Sequence, residues 1–418
     1  MTIDRNRRRF LRATAALPIA RAVGFATFGA ESVAFAGAPA TDRAFDSSFD
    51  RSFDSSFDSS FDRYSNLLVL VELKGGNDGL NTLVPYTDAA YRELRPKLAI
   101  ARDQVIQLSD RVGLHPALAP LSAFWRDREL AVLQGVGYPQ PNLSHFRSIE
   151  IWDTASRSNE YREDGWLTRT FAQRPVSASY GADGVVIGSN DLGPLSGSGA
   201  RTIALADTQT FLRRARLAQP AAAAPNNALA HILKVEADIV QARSHLAAEH
   251  AFETEFPATG FGNAVKTACQ VIANPSGAAA VRLTLTGFDT HTNQPGTQAR
   301  LLAELAGGLT ALKGALIELG RWNGTLILTY AEFGRRPKEN LSLGTDHGTA
   351  NVHFALGGRV AGGLYGEAPD LTALTGDSNP RHALDFRDVY ATVLERWWNI
   401  DSRSALGGRF TPVPFLRG

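Results

Sequence analysis

A single cysteine, Cys269, and a single methionine, Met1, stand among the 418 residues. One thiol closes no internal disulfide and builds no Cys-ligated zinc or iron–sulfur site. An excess of either charge is also missing: 43 Lys+Arg face 42 Asp+Glu, a formal net charge of +1. That balance argues against a phosphate-backbone partner, so no nucleic acid is expected. Uninterrupted apolar runs of about 18 residues or more are lacking too, so no stable membrane span is expected. What is present, 44% hydrophobic and 20% charged residues, suits a globular chain long enough for one large domain or two modest ones.

The N-terminus reads as an address. Asn6-Arg7-Arg8-Arg9-Phe10-Leu11-Arg12 sets adjacent arginines ahead of Phe-Leu, residues 13–29 are weakly apolar, and Ala34-Phe35-Ala36 has the small-x-small form of a cleavage site. We read residues 1–36 as a twin-arginine (Tat) signal, engaging the Tat translocon and sending the chain to the periplasm or beyond. A basic amphipathic helix kept in the mature protein is the competing reading, but Pro18 and Arg21 suit an export signal better. Cleavage after Ala36 removes six Arg and two acidic residues, leaving 37 basic against 40 acidic groups. Tat cargo crosses already folded, a route suited to proteins loaded with metal in the cytosol. Residues 37–64 follow as a linker in which Phe45, Phe49, Phe53, Phe57 and Phe61 are each followed by Asp. Such a tract builds no core of its own and reads as a spacer; the alternative is a Phe stripe docking on a partner as a helix. Residues 65–418 are then expected to form one catalytic-type domain.

From residue 67 the pattern is that of an α/β protein. Short apolar runs at 67–73 (LLVLVEL), 130–135, 200–205, 281–285 and 325–330 have strand length, and residues 227–250 have helical spacing. Buried runs alternating with helices predict a doubly wound, largely parallel sheet with helices on both faces. Residues 181–199 and 218–225 read as loop or insertion.

In open α/β sheets, ligands bind beyond the carboxyl ends of strands, so acids and histidines just after a run carry weight. Asp78, in Gly-Gly-Asn-Asp-Gly after the first run, is either a ligand or a turn residue. Asp289 and His291 follow the run at 281–285 and are able to turn to one ion. Glu332 stands beside Arg335 and Arg336 after the run at 325–330, as an anion site or a solvated ion pair. Asp346 and His347 are adjacent in a glycine-bounded loop, the most specific of the four patterns. Oxygen and nitrogen ligands without sulfur suit Zn, Mn, Mg, Ca or Fe, and two such ions would clamp both oxygens of an in-line displacement.

A nucleophile is also available. Asn142-Leu143-Ser144-His145-Phe146-Arg147 leads from a Gly/Pro loop into a helix, and a serine at a helix start has backbone N–H donors and a positive dipole end nearby. The competing reading is a plain N-cap. His145 adds an imidazole and Arg147 an anion clamp, which makes Ser144, His145 and Arg147 the catalytic candidates.

The segments LVLVELKGGNDGLNTLVPY, GLHPALAPL, QGVGYPQPNLSHFRSIEIWDTA, FDTHTNQ, YAEFGRRPKENLSLGTDHGTANVHFALGG and DFRDVYATVLERWW resemble the Tat-exported bacterial proteins grouped as domain of unknown function 1501. That family is placed in the alkaline phosphatase-like superfamily, with the sulfatases and cofactor-independent phosphomutases. The resemblance implies one or two divalent metal ions at the strand C-termini: an aspartate ligand after the first strand, matched by Asp78, and Asp/His pairs matched by Asp289 with His291 and Asp346 with His347. It implies a nucleophile at a helix start, for which Ser144 is the candidate, and a further histidine ligand, for which His353 and His382 are available. No Cys- or Ser-x-Pro-x-Arg segment occurs, and Cys269 lies in Ala-Cys-Gln-Val-Ile, so a formylglycine sulfatase is not expected.

Other residues read as structural. His115 sits in a Leu-His-Pro turn, His231, His245 and His250 lie on the expected long helix, Trp397 and Trp398 pack a terminal helix, and Cys269 is a small buried hydrophobe. The chain is thus expected to be an exported metal-dependent hydrolase acting through Ser144 on a small phosphate or sulfate ester. The alternative is a non-catalytic periplasmic assembly or maturation protein that keeps the fold. A glycan hydrolase using Glu332 and Asp346 is a third reading, but no spacing in the sequence fixes the carboxyl separation it needs.

Overall fold

The first run becomes β1, Leu67–Lys74, whose residues are buried up to Leu73. Its side chains alternate between two cores: Leu67, Val69, Val71 and Leu73 face one, Leu68 and Leu70 the other. A strand buried on both faces must be covered on both, and that requirement sets the architecture. In the computed structural model, residues 63–205, 250–376 and 378–418 are described. The signal at 1–36, the linker except its last two residues, the segment 218–225 and all but the end of the helix expected at 227–250, with His231 and His245, lie outside the described residues.

The remaining strands are β2 (Leu83–Val84), β3 (Ile106–Gln107), β4 (Gly113–Leu114), β5 (Leu130–Gly137), β6 (Ala182–Ile187), β7 (Thr202–Leu205), β8 (Ala278–Thr286), β9 (Thr325–Tyr330), β10 (Gly334–Glu339), β11 (Thr345–Gly348), β12 (Asn351–Leu356), β13 (Gly363–Gly366) and β14 (Leu384–Asp385). The main sheet has the order β7-β6-β8-β1-β9-β12-β5-β13, with β14 also on β5. All its pairings are parallel except those of β12, which runs antiparallel to β9 and β5. The expected doubly wound, largely parallel sheet is therefore present. β10 and β11 form a separate hairpin, and β2, β4 and β3 a small antiparallel sheet.

One face carries the helices Gly260–Ala273 and Gln294–Glu318. In the longer helix Leu301, Leu305, Leu309, Leu312 and Leu316 recur at helical spacing and are fully buried. Each such leucine contributes roughly 1.5–3 kcal/mol of transfer free energy. The other face carries His145–Thr154, Trp166–Gln173 and Phe386–Ala391. Trp397 and Trp398 are buried in that second core, as their place in the terminal helix predicts, and Cys269 is buried in the first.

One segment departs from the expectation. Residues 181–199 read as loop, yet they contain β6, parallel to β7 on one side and β8 on the other. The glycine that made it look irregular has a packing reason: a Cβ at Gly184 would enter the side chain of Leu195. Small residues let a covering turn lie directly on the strand.

Candidate metal and catalytic site

The strand exits converge as open-sheet geometry requires. β1 leads into Gly75 and Gly76, β8 into Asp289, β9 into Glu332 and β5 into the loop that ends at Ser144 and His145. Gly75 has φ +115°, and a Cβ there would strike the backbone of Phe288 and Asp289. Only glycine lets β1 leave the sheet this close to β8, and its N–H is donated to both carboxylate oxygens of Glu332, at 3.0 and 3.2 Å. Gly344 makes a similar approach from the β10–β11 hairpin: a Cβ there would strike the backbone of His291. The hairpin is thereby pressed against the β8 exit, which brings Asp346 and His347 to Asp289 and His291.

Asp289 is the hub. Its Oδ1 lies 2.7 Å from the Arg335 guanidinium, 3.1 Å from His291 Nε2 and 3.3 Å from His347 Nε2. Its Oδ2 lies 3.5 Å from His145 Nε2. Ligand atoms of His145, Asp289 and His347 all fall within 4.8 Å of one another. His291 Nε2 is 3.0 Å from His347 Nε2, and its Nδ1 is 3.4 Å from Asp346 Oδ1. Asp346 thus joins the cluster from its outer edge, where its side chain is 53% exposed.

The outward-facing nitrogens fix the inward ones. His347 Nδ1 meets the Leu143 carbonyl at 2.9 Å; a carbonyl only accepts, so Nδ1 carries the proton and the neutral ring leaves a lone pair on Nε2. Burial lowers the His347 pKa, which keeps that ring neutral. His145 Nδ1 meets Glu332 Oε1 at 2.8 Å, with the Glu332 side chain almost wholly buried. The Glu332 hydrogen bond raises the His145 pKa. Burial alone would raise Asp289, but the bonded Arg335 overrides it and holds the carboxyl below its usual range. Asp289 is therefore an anion facing imidazole nitrogens whose far sides are held by protein acceptors, a donor set able to hold a cation.

Other candidates lie elsewhere. Asp78 is buried and caps the short helix Gly79–Thr82, and it pairs bidentately with Arg95 at 2.6 and 3.0 Å. Gln294 also donates to it. With both oxygens engaged, Asp78 is a structural anion and is not brought into the cluster. Arg147 points away as well: its guanidinium holds the carbonyls of Arg157, Ser158 and Glu160, pairs with Glu150 at 2.8 Å and stacks on Tyr161. Arg335 donates to the carbonyls of Gly76, Thr345, Gly75 and Phe288 besides Asp289. Arg336 accepts from Arg95 through its carbonyl.

Ser144 is the N-cap of His145–Thr154, exposed, and makes no side-chain cap bond. Among the described residues its hydroxyl makes no hydrogen bond. His353 is fully buried on β12 against Trp152, and burial lowers its pKa to about 3. His382 is likewise depressed by burial, and neither histidine reaches the cluster. His115 caps the turn Pro116–Leu118 by accepting from Ala117 N–H at 3.0 Å. Two partners were not foreseen: Glu332 as the holder of His145, although its place after β9 had marked it, and Arg95, which no local pattern marks.

The fold is that of an α/β protein with a cluster of imidazole nitrogens and carboxylate oxygens at the strand ends. The chain belongs to the family described as protein of unknown function (DUF1501), which matches residues 125–406. No curated protein matches it. Among solved structures it is similar to the phosphonate monoester hydrolase SpPMH from Silicibacter pomeroyi, at 11% identity and TM-score 0.38 over 82% of this chain and 75% of that one. A putative sulfatase from Bacteroides thetaiotaomicron matches at 10% identity and TM-score 0.38, over 83% and 76%. The lipoteichoic acid synthase LtaP from Listeria monocytogenes matches at 10% identity and TM-score 0.35, over 81% and 72%. No described helix is long and apolar enough to cross a membrane.

Proposed function

We propose that the chain is a metal-dependent hydrolase of phosphate or sulfate esters, exported through the Tat pathway, with one or two divalent ions held by His145, Asp289 and His347 and flanked by His291 and Asp346. The observation that carries this reading is the pair of imidazole nitrogens aimed at one ionised carboxylate. His347 Nε2 offers a lone pair to Asp289 Oδ1 at 3.3 Å, a repulsive approach that a cation between them turns into attraction. Bound there, a divalent ion would supply Lewis acidity toward an ester oxygen. Glu332 holds His145 in place, Leu143 fixes the His347 tautomer, and Ser144 presents its hydroxyl at the helix start as the attacking group. Asp78 is left out of the ligand set in this proposal, and Arg147 is left out of anion binding.

That diversion of arginines favours a second reading. Arg147 and Arg335, the expected anion clamps, are engaged by backbone carbonyls and carboxylates, as in a protein that keeps the site for a structural ion while assisting assembly. Elemental analysis of protein purified without chelators separates the cases, with Asp289→Asn and His347→Ala variants alongside. The hydrolase reading expects about one or two ions per chain, lost in folded variants, and ester turnover that Ser144→Ala removes without removing metal. Metal without turnover on any phosphate or sulfate ester would favour the structural ion, and metal-free protein would sink the metal-dependent reading and leave the non-catalytic protein that keeps the fold. Export is checked separately by N-terminal sequencing of periplasmic protein, expected to start at Gly37.

A further inference from the structure

Beside the loop that carries Ser144 lies a groove formed of two adjoining cavities. One, of about 490 Å³, is lined by Pro139, Gln140, Arg157, Arg387 and Arg409 among others. The second, of about 560 Å³, includes Arg396, Arg403 and Arg409 in its wall. Arg409 and Phe410 line both, so the cavities meet there.

The charges in this groove do not cancel. Arg387 is neutralised by a bidentate pairing with Asp385 at 2.9 and 2.6 Å, and it also lies over the Phe410 ring. Arg403 is neutralised by Asp401. Among the described residues Glu395 accepts only the Ser402 hydroxyl, at 2.6 Å. Arg157, Arg396 and Arg409 are exposed, and among the described residues they donate no side-chain hydrogen bond and form no ion pair. Asp401 acts on Arg409 and Glu160 on Arg157 at longer range, yet five arginines against three carboxylates in the lining leave the groove cationic. Planar forks of this kind bind phosphate and sulfate oxygens in pairs.

The groove is also tied to the site. Arg147, on the first turn of the helix that Ser144 caps, holds the carbonyls of Arg157 and Ser158. Ser158 in turn donates to the Pro139 carbonyl at 2.9 Å. Gln140, at the rim, adopts φ +54°, a left-handed conformation uncommon for this residue type. Four peptide links separate Gln140 from Ser144, so their Cα atoms are at most about 15 Å apart. An occupant of a few linked units therefore spans from the groove to the serine.

We propose that this groove is a binding site for an oligo-anion carrying several phosphate or sulfate groups, and that it holds the remainder of an ester whose terminal group lies at Ser144. Its link to ester cleavage rests on the hydrolase reading, but the binding itself does not. Arg157, and not Arg147, is the anion-binding arginine of this region, and Arg147 positions the loop that presents it.

The test is isothermal titration of the full mature chain, freed of metal by chelator, with tripolyphosphate in one arm and a sulfated tetrasaccharide in the other. Saturable binding by either probe is expected, weakened by added salt and reduced about tenfold or more in Arg157→Gln, Arg409→Gln protein. The probe that binds names the anion. Both replaced arginines are exposed, and matching circular dichroism of the variant and parent verifies folding. Absence of saturable binding in both arms, or equal affinity in the double variant, would overturn the proposal. Binding seen only after a divalent metal is restored would overturn it too, by placing the anion at the cluster.

Discussion

His145 Nδ1 stands 2.8 Å from Glu332 Oε1, and the same carboxylate receives the Gly75 N–H. One buried acid thus joins the exits of β1 and β9 to the helix that bears His145. The two replacements of Glu332 should separate its charge from its bonding capacity. Glu332→Gln keeps an acceptor for His145 and should weaken metal binding by about tenfold or less. Glu332→Ala frees the ring and should weaken it toward 100-fold. Glu332→Ala also leaves the buried Gly75 N–H unpaired, at about 1–3 kcal/mol of stability. Competition with a colorimetric chelator and urea melts read the two effects; equal losses for Gln and Ala would refute the positioning role.

Asp78 and Asp289 share one strand-exit signature in the sequence and take different places in the fold. Asp78 is buried and bonded to Arg95, whereas the Asp289 side chain is 48% exposed among histidines. Arg95→Ala should therefore cost about 3–5 kcal/mol, because it leaves an uncompensated buried carboxylate. Asp78→Asn should destabilise the chain while sparing its metal content, and Asp289→Asn should do the reverse. Metal counts per folded chain, taken with thermal melts, decide it: loss of metal in Asp78→Asn protein would restore Asp78 to the ligand set.

The strands were legible where a run is apolar on both faces, as in LLVLVEL, because burial on two sides leaves no polar alternation to misread. β6 was not: Gly184 is small for Leu195, a partner eleven positions away that no local pattern announces. Asp289, His291, Asp346 and His347 were legible as acids and imidazoles at strand exits, and the structure brings them together. Asp78 has the same local signature yet goes elsewhere, since Arg95 and Gln294 reach it from other elements. His145 and Glu332 are 187 positions apart, and only the sheet order makes them neighbours.

Gly184 permits a direct test of that packing. Ala at this position would press its methyl into the Leu195 side chain, so Gly184→Ala should destabilise the chain by about 1–3 kcal/mol despite alanine's lower unfolded-state entropy. Gly184→Ala combined with Leu195→Ala should be less destabilised than the sum of the two single changes, since each removes the other's clash or void. Urea midpoints across the four proteins of the cycle measure it, and strict additivity would contradict the contact.

His353 makes acid sensitivity predictable. Its ring lies edge-on to Trp152 with centroids 5.3 Å apart, and both ring nitrogens are buried without a hydrogen-bond partner. Burial lowers its pKa from 6.5 to about 3, so between those values the unfolded chain takes up a proton that the folded chain refuses. Stability from this group is present above pH 6.5 and is lost as pH falls toward 3. Between pH 7.5 and pH 5 the loss is about 2 kcal/mol for this one residue. His353→Leu removes the proton and leaves no donor or acceptor unpaired, so it should match or exceed the parent at pH 7.5 and lead it by about 2 kcal/mol more at pH 5. Urea melts of both proteins at the two pH values, with excess EDTA to silence metal uptake, check the difference. Parallel pH dependence in parent and variant would mean that His353 does not stay neutral inside the fold.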